Sequence, residues 1–132
     1  TILIGGDAGH EVGHSMRRGL IAVGGSIGDF AAVNMIAGSL FVFGGCGIRP
    51  AAGMHRGTLA LLGDHPPHLL PTFALAGRCQ PSFLRVYLLA LRKLGLPVQE
   101  ALLAADYLLY HGDCIELGRG EILMRAVSSA KE

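Results

Sequence analysis

A spacing of 19 residues governs the first half of this 132-residue chain and leaves few folds open to it. Gly6, Gly25, Gly44 and Gly63 recur at that interval, as do Gly9, Gly28 and Gly47, and again Gly19, Gly38 and Gly57. Met16, Met35 and Met54 keep the same register, and so do Ile21, Leu40 and Leu59. Self-similarity at one period marks a repeat architecture. Each copy carries a short apolar run, at residues 20–23, 40–43 or 59–62, of strand length and β-prone composition. The glycines between runs suit corners that need positive φ or close backbone approach. Such a unit is too short and too glycine-rich for a helical hairpin. It makes one coil of a β-solenoid. The expected fold is mainly β: a parallel β-helix whose columns stack ~4.8 Å apart, with methionine and aliphatic ladders down its interior.

The rhythm stops after Gly63, which divides the expected domain into four stretches. Residues 1–64 hold the coils, 65–80 a linker, 81–112 a helical segment and 113–125 a return strand. Pro66, Pro67 and Pro71 mark the linker. Pro81 suits a first helical turn, and Leu84, Tyr87, Leu88 and Leu91 follow at helical spacing as a stripe most simply read as core-facing. Gly95 stops that helix. Pro97 opens a second one, expected to run to about Tyr110 and end at Gly112 and Asp113. Arg119-Gly120-Glu121-Ile122-Leu123 then echoes Arg18-Gly19-Leu20-Ile21-Ala22 and Arg56-Gly57-Thr58-Leu59-Ala60, as a strand rejoining the stack would. Solenoid ends need covering, and the helical segment is expected to close the C-terminal one.

Composition excludes several classes. A net charge of +1 offers no basic stripe for nucleic acid. Cys46, Cys79 and Cys114 are odd in number and lack CxxC spacing, so they read as reduced thiols of a cytoplasmic protein. Residues 30–48 are uncharged and almost long enough to cross a membrane, but Asn34, Ser39 and four glycines break them up. The chain opens at Thr1 directly into a β-rich run, which suggests that earlier coils precede it. An isolated fragment with such an open face is expected to self-associate.

His10-Glu11-Val12-Gly13-His14 spells HExxH, the signature of zinc proteases. That chemistry needs both histidines on one helix face with the glutamate as base. Here the segment contains Gly13, falls in a repeat corner, and has Ile48-Arg49-Pro50-Ala51-Ala52 as an equivalent, so no metal site is expected. His55, His65 and His68 have no thiolate or carboxylate partners at ligand spacing. The glycine loops lack the Lys-Ser/Thr and the following helix of a phosphate cradle. No catalytic set stands out. The surface worth following is basic: Arg18 and Arg56 share a column two coils, hence ~10 Å, apart, Arg17 and His55 share the next one, and Arg49 is expected nearby. Such a ladder suits an acidic partner, a polyanion or a charged carrier.

The coils resemble the glycine-repeat domain shared by the glutamate synthase large subunit and the C-type subunit of formylmethanofuran dehydrogenase. Gly44-Gly45-Cys46-Gly47-Ile48-Arg49-Pro50-Ala51-Ala52-Gly53-Met54-His55-Arg56-Gly57-Thr58 is similar to the pattern of that C-type subunit. Leu70-Pro71-Thr72-Phe73, Pro81-Ser82-Phe83-Leu84-Arg85-Val86-Tyr87 and Gly118-Arg119-Gly120-Glu121-Ile122 look more like its bacterial homologue, the C-type subunit of the formyltransferase/hydrolase complex. The resemblance implies a non-catalytic scaffold in tetrahydromethanopterin-linked C1 metabolism, beside hydrolase and formyltransferase subunits and a methanofuran-like carrier. It maps no catalytic residue and no cofactor onto this chain. The alternative it leaves is a glutamate synthase-type structural domain, against which the helical tail argues.

Overall fold

The computed structural model describes residues 1–63, 67, 69, 71–96, 98–112 and 119–126. Its strands are β1 (Ile2–Ile4), β2 (Leu20–Val23), β3 (Ser39–Val42), β4 (Thr58–Leu61), β5 (Ala74–Cys79), β6 (Tyr107–Gly112) and β7 (Gly120–Arg125). Two helices, α1 (Ser82–Lys93) and α2 (Glu100–Ala104), lie between β5 and β6. The strands form one sheet in the order β1-β2-β3-β4-β7-β6-β5. The first four pair in parallel, with Leu20 opposite Ser39, Ser39 opposite Thr58, and Ile21, Leu40 and Leu59 in one column. The spacing in the sequence is thus the height of one coil. The fold is the expected parallel β-helix.

Strands β2, β3 and β4 are apolar at nearly every position because both of their faces are covered. Leu40, Val42, Leu59 and Leu61 point into the solenoid, where they meet Met35 and Met54, all at most 2% exposed. Ala22, Phe41 and Ala60 point the other way, onto Leu84, Leu88 and Leu91 of α1. The helix therefore lies on the flank of the sheet and does not close its end. What closes the C-terminal end is β7, which pairs in parallel with β4 and sends Ile122 and Met124 into the interior, together with the buried ring of Phe73. A continuous apolar strand demands cover on two sides, and α1 supplies the second.

The tail also departs from its sequence reading. The stretch expected to be a linker contains β5, and the expected second helix shrinks to the five residues of α2 before the chain extends into β6. Leu108, Leu109 and Tyr110 pair antiparallel with Met124, Leu123 and Ile122 of β7, and that pairing outweighs a weak helical pattern. Gly95 does stop α1, at φ 97°: its N–H donates to the Arg92 carbonyl while that of Leu96 donates to Leu91. The start of the second helix at Pro97, its stop at Asp113, and His65, His68 and Cys114 lie outside the described residues.

Corners repeat as faithfully as strands. Gly25 and Gly44 stack so closely that a Cβ on Gly44 would sit 2.5 Å from the Gly25 carbonyl carbon. Side chains tie each corner to the next: Asp7 accepts from Ser26 N–H at 2.7 Å and Ser26 Oγ from Gly45 N–H at 2.9 Å. His10 Nδ1 accepts from Asp29 N–H at 2.8 Å, and Asp29 from Ile48 N–H at 2.9 Å.

Candidate functional site

Because each coil repeats the one before, the corner entering the strands carries its side chains in columns. Arg18, Ala37 and Arg56 precede Gly19, Gly38 and Gly57, and the pairing of Thr58 with Glu121 places Arg119 next in that same column. Arg17, Ile36 and His55 form the neighbouring column. All four expected residues, Arg17, Arg18, His55 and Arg56, are exposed and share this edge. Arg119 is exposed as well, and it makes the ladder three arginines long. The Arg119-Gly120 echo of Arg18-Gly19 and Arg56-Gly57 was the signal that could have found it. Arg49 belongs elsewhere. It stands at φ 52° in a different corner column, with Glu11 at 58° and Phe30 at 61°.

An open groove of about 490 Å³ lies at the upper part of this edge, lined by Arg17, Arg18, Leu20, Ala37, Ser39 and Tyr87 among others. Tyr87 was expected in the core stripe of α1. Leu84, Leu88 and Leu91 are buried as expected, while Tyr87 is 42% exposed and packs its ring edge-on against Phe41 at 5.6 Å and Phe83 at 6.4 Å. Among the described residues the groove is lined by two arginines and no carboxylate, beside the apolar Leu20, Ala37 and the Tyr87 ring. It can hold an anionic group beside an apolar one.

Glu11 and His14 line a second open groove of about 470 Å³ with Arg18, but the other chemistry-bearing residues form no metal-binding set among the described residues. Residues 10–15 form turns, and Glu11 has left-handed backbone, so the helix face that an HExxH site requires does not form. His10 already spends Nδ1 on Asp29 N–H. Among the described residues no three of His, Cys, Asp and Glu cluster at metal-binding distance. Cys46 is pushed up to about 11, first by burial and second by the Asp29 carboxylate, so its thiol stays protonated near neutral pH and is a poor nucleophile. A cleft of about 180 Å³ between α1 and α2 has Arg85 and Tyr107 as its titratable lining among the described residues. Tyr107 donates its hydroxyl to the Leu102 carbonyl at 2.7 Å, and burial pushes it up to about 12. Asp106 is held below the usual carboxylate range by hydrogen bonds from Gln80 and Arg78, an exposed structural pairing. No helix among the described residues is long and apolar enough to cross a membrane, and residues 30–48 run through a corner and β3.

Fold and surface together define a parallel β-helix domain with one helix-covered flank and one arginine-lined edge. No protein-family model and no curated protein matches the chain. Among solved structures it is similar to a chain in the crystal structure of the formyltransferase/hydrolase complex (FhcABCD) from Methylorubrum extorquens in complex with methylofuran. The two are 42% identical with a TM-score of 0.83, over 95% of this chain and 46% of that one. The chain belongs to the family of that complex component and spans about half of its length.

Proposed function

We propose that the chain is part of the C-type subunit of a formyltransferase/hydrolase complex, and that it works there as a non-catalytic scaffold in tetrahydromethanopterin-linked C1 metabolism. One observation carries the reading: 42% identity sustained over 95% of the chain, tail as well as coils, with a component of such a complex. Coverage of the tail favours this over a glutamate synthase-type spacer, whose likeness rests on the coils alone. The geometry supports a structural role. Its corners are tied by hydrogen bonds and its strands lie between two apolar layers, while among the described residues no three of His, Cys, Asp and Glu cluster as metal ligands. In this reading the hydrolase and formyltransferase subunits carry the chemistry and are the partners. Arg17, Arg18, His55 and Arg56 contact an acidic partner surface or the charged part of a methanofuran-like carrier. Co-expression of the full-length protein with the hydrolase and formyltransferase subunits tests it. One co-eluting assembly is expected, with both activities retained when His10, Glu11 and Cys46 are changed to Ala, Gln and Ser. Separate elution, or loss of an activity in those variants, would sink the scaffold reading.

A further inference from the structure

Helix α1 is apolar around more of its circumference than its packing uses. With 3.6 residues per turn, Leu84, Leu88 and Leu91 lie along one side and are at most 1% exposed. Phe83, Val86, Tyr87, Ala90 and Leu94 lie on the adjacent flank, and there Val86 is 66% and Leu94 60% exposed. The opposite flank carries Arg85 and Arg92 and is already engaged with the α2 region: Arg85 donates to the Leu103 carbonyl and Arg92 pairs with Glu100 at 2.7 Å. So the charged side is spoken for and an apolar side faces water. The same side of α1 meets the arginine edge at Tyr87. Tyr87 joins the two, since it lines the groove whose other wall is Arg17 and Arg18.

A contiguous apolar strip of this kind on a soluble protein normally meets a partner. We infer that the Phe83–Val86–Tyr87–Ala90–Leu94 flank, with the arginine edge beside it, docks an amphipathic helix of another subunit of the complex, apolar on one face and acidic on the next. The inference rests on the proposed function and names the surface through which the scaffold holds its partner. Charge decides the occupant. A second copy of this chain, paired about a two-fold axis through the groove, would set Arg17 and Arg18 against themselves or their neighbours. An acidic partner helix answers them instead, with anchors at i, i+3, i+4 and i+7 seated along α1 and carboxylates over Arg17, Arg18 and Arg56. Tyr87 is the expected hot spot, being an aromatic at the junction of the apolar and charged halves.

The test co-expresses the full-length protein with the hydrolase and formyltransferase subunits, as wild type, as Val86→Asp/Leu94→Asp and as Arg17→Glu/Arg18→Glu. Both double variants should leave the melting temperature of the free scaffold within a few degrees, because every changed side chain is exposed. Both should lower the yield of assembled complex at least tenfold. Unchanged assembly by the two variants overturns the inference and leaves the proposed function standing. A sharply lowered melting temperature of the free Val86→Asp/Leu94→Asp scaffold overturns it too, by showing that the scaffold's own chain covers the flank. Dissociation of a homodimer in place of the hetero-complex would assign the surface to a second copy. A wild-type scaffold that fails to assemble sinks the proposed function and this docking surface with it.

Discussion

The coils and the tail of this protein solve the same packing problem by different means. In the coils, which end at Gly63, every strand is placed by the one below it, through parallel pairing in constant register and through corners whose side chains accept from the next coil's N–H groups. In the tail, β5, β6 and β7 pair antiparallel, with a register shift between Leu75 and Gly77, and individual contacts such as Tyr107 to Leu102 fix the geometry. The coils present almost no exposed strand surface beyond β1, whereas β5 is exposed along most of its length. Repetition gives one tolerance to the whole stack. Unique contacts give the tail many local tolerances.

That contrast can be broken first with a charge. Met35 is fully buried in the solenoid interior, between coils that cannot part independently. Met35→Asp leaves a carboxylate there without a partner and should cost about 4 kcal/mol or more. Leu75→Asp, at a position 59% exposed on β5, should change stability by about 0.5 kcal/mol or less. Urea unfolding of the two variants reads the difference directly. Similar midpoints would mean that the stack does not form the core described.

A single methyl group sharpens the comparison. Gly44→Ala drives a Cβ to 2.5 Å from backbone of the previous coil, which cannot move without moving its own neighbours. The expected loss is about 3 kcal/mol, at the upper end for overpacking. Gly77→Ala on β5 meets nothing within 4 Å. It should fall within about 0.5 kcal/mol of the parent, since unfolded-state entropy favours alanine there. Thermal melts suffice. A tolerated Gly44→Ala would show that adjacent coils have slack.

The same contrast explains what the sequence disclosed. Five columns at one spacing reveal coil height, strand position and the interior methionines, because identical neighbours impose identical constraints. The same spacing puts Arg18 and Arg56 in one column, whereas Arg119 lies off that interval, and only its Arg-Gly echo before a strand pairing in their register points to it. The tail holds no such redundancy. Residues 107–110 read as helix in isolation, and pairing with β5 and β7 makes them part of a strand. The exposed flank of α1 was hidden for another reason: Tyr87 falls on the helical spacing of a core stripe, and spacing alone does not say where the covering sheet ends.

The smallest effects should invert the order of the two regions. Ser26 Oγ accepts from Gly45 N–H at 2.9 Å, and Tyr107 donates to the Leu102 carbonyl at 2.7 Å. Both are side-chain to backbone bonds, yet their surroundings differ. The corner is exposed, so in Ser26→Ala the freed N–H turns to water, and the expected loss is about 0.5 kcal/mol. Tyr107 is 2% exposed. In Tyr107→Phe the carbonyl loses a partner that water cannot readily replace, and the loss should be about 1 kcal/mol or slightly more. A pH series adds a second readout. Burial raises the folded hydroxyl from 10.0 to about 12, so its contribution is complete below pH 10 and fades as pH climbs toward 12. Tyr107→Phe should remove that alkaline loss, while Ser26→Ala should leave it in place. Equal losses with identical alkaline profiles would mean that the tail, like the coils, is held by its backbone, and the distinction between the two regions would fail.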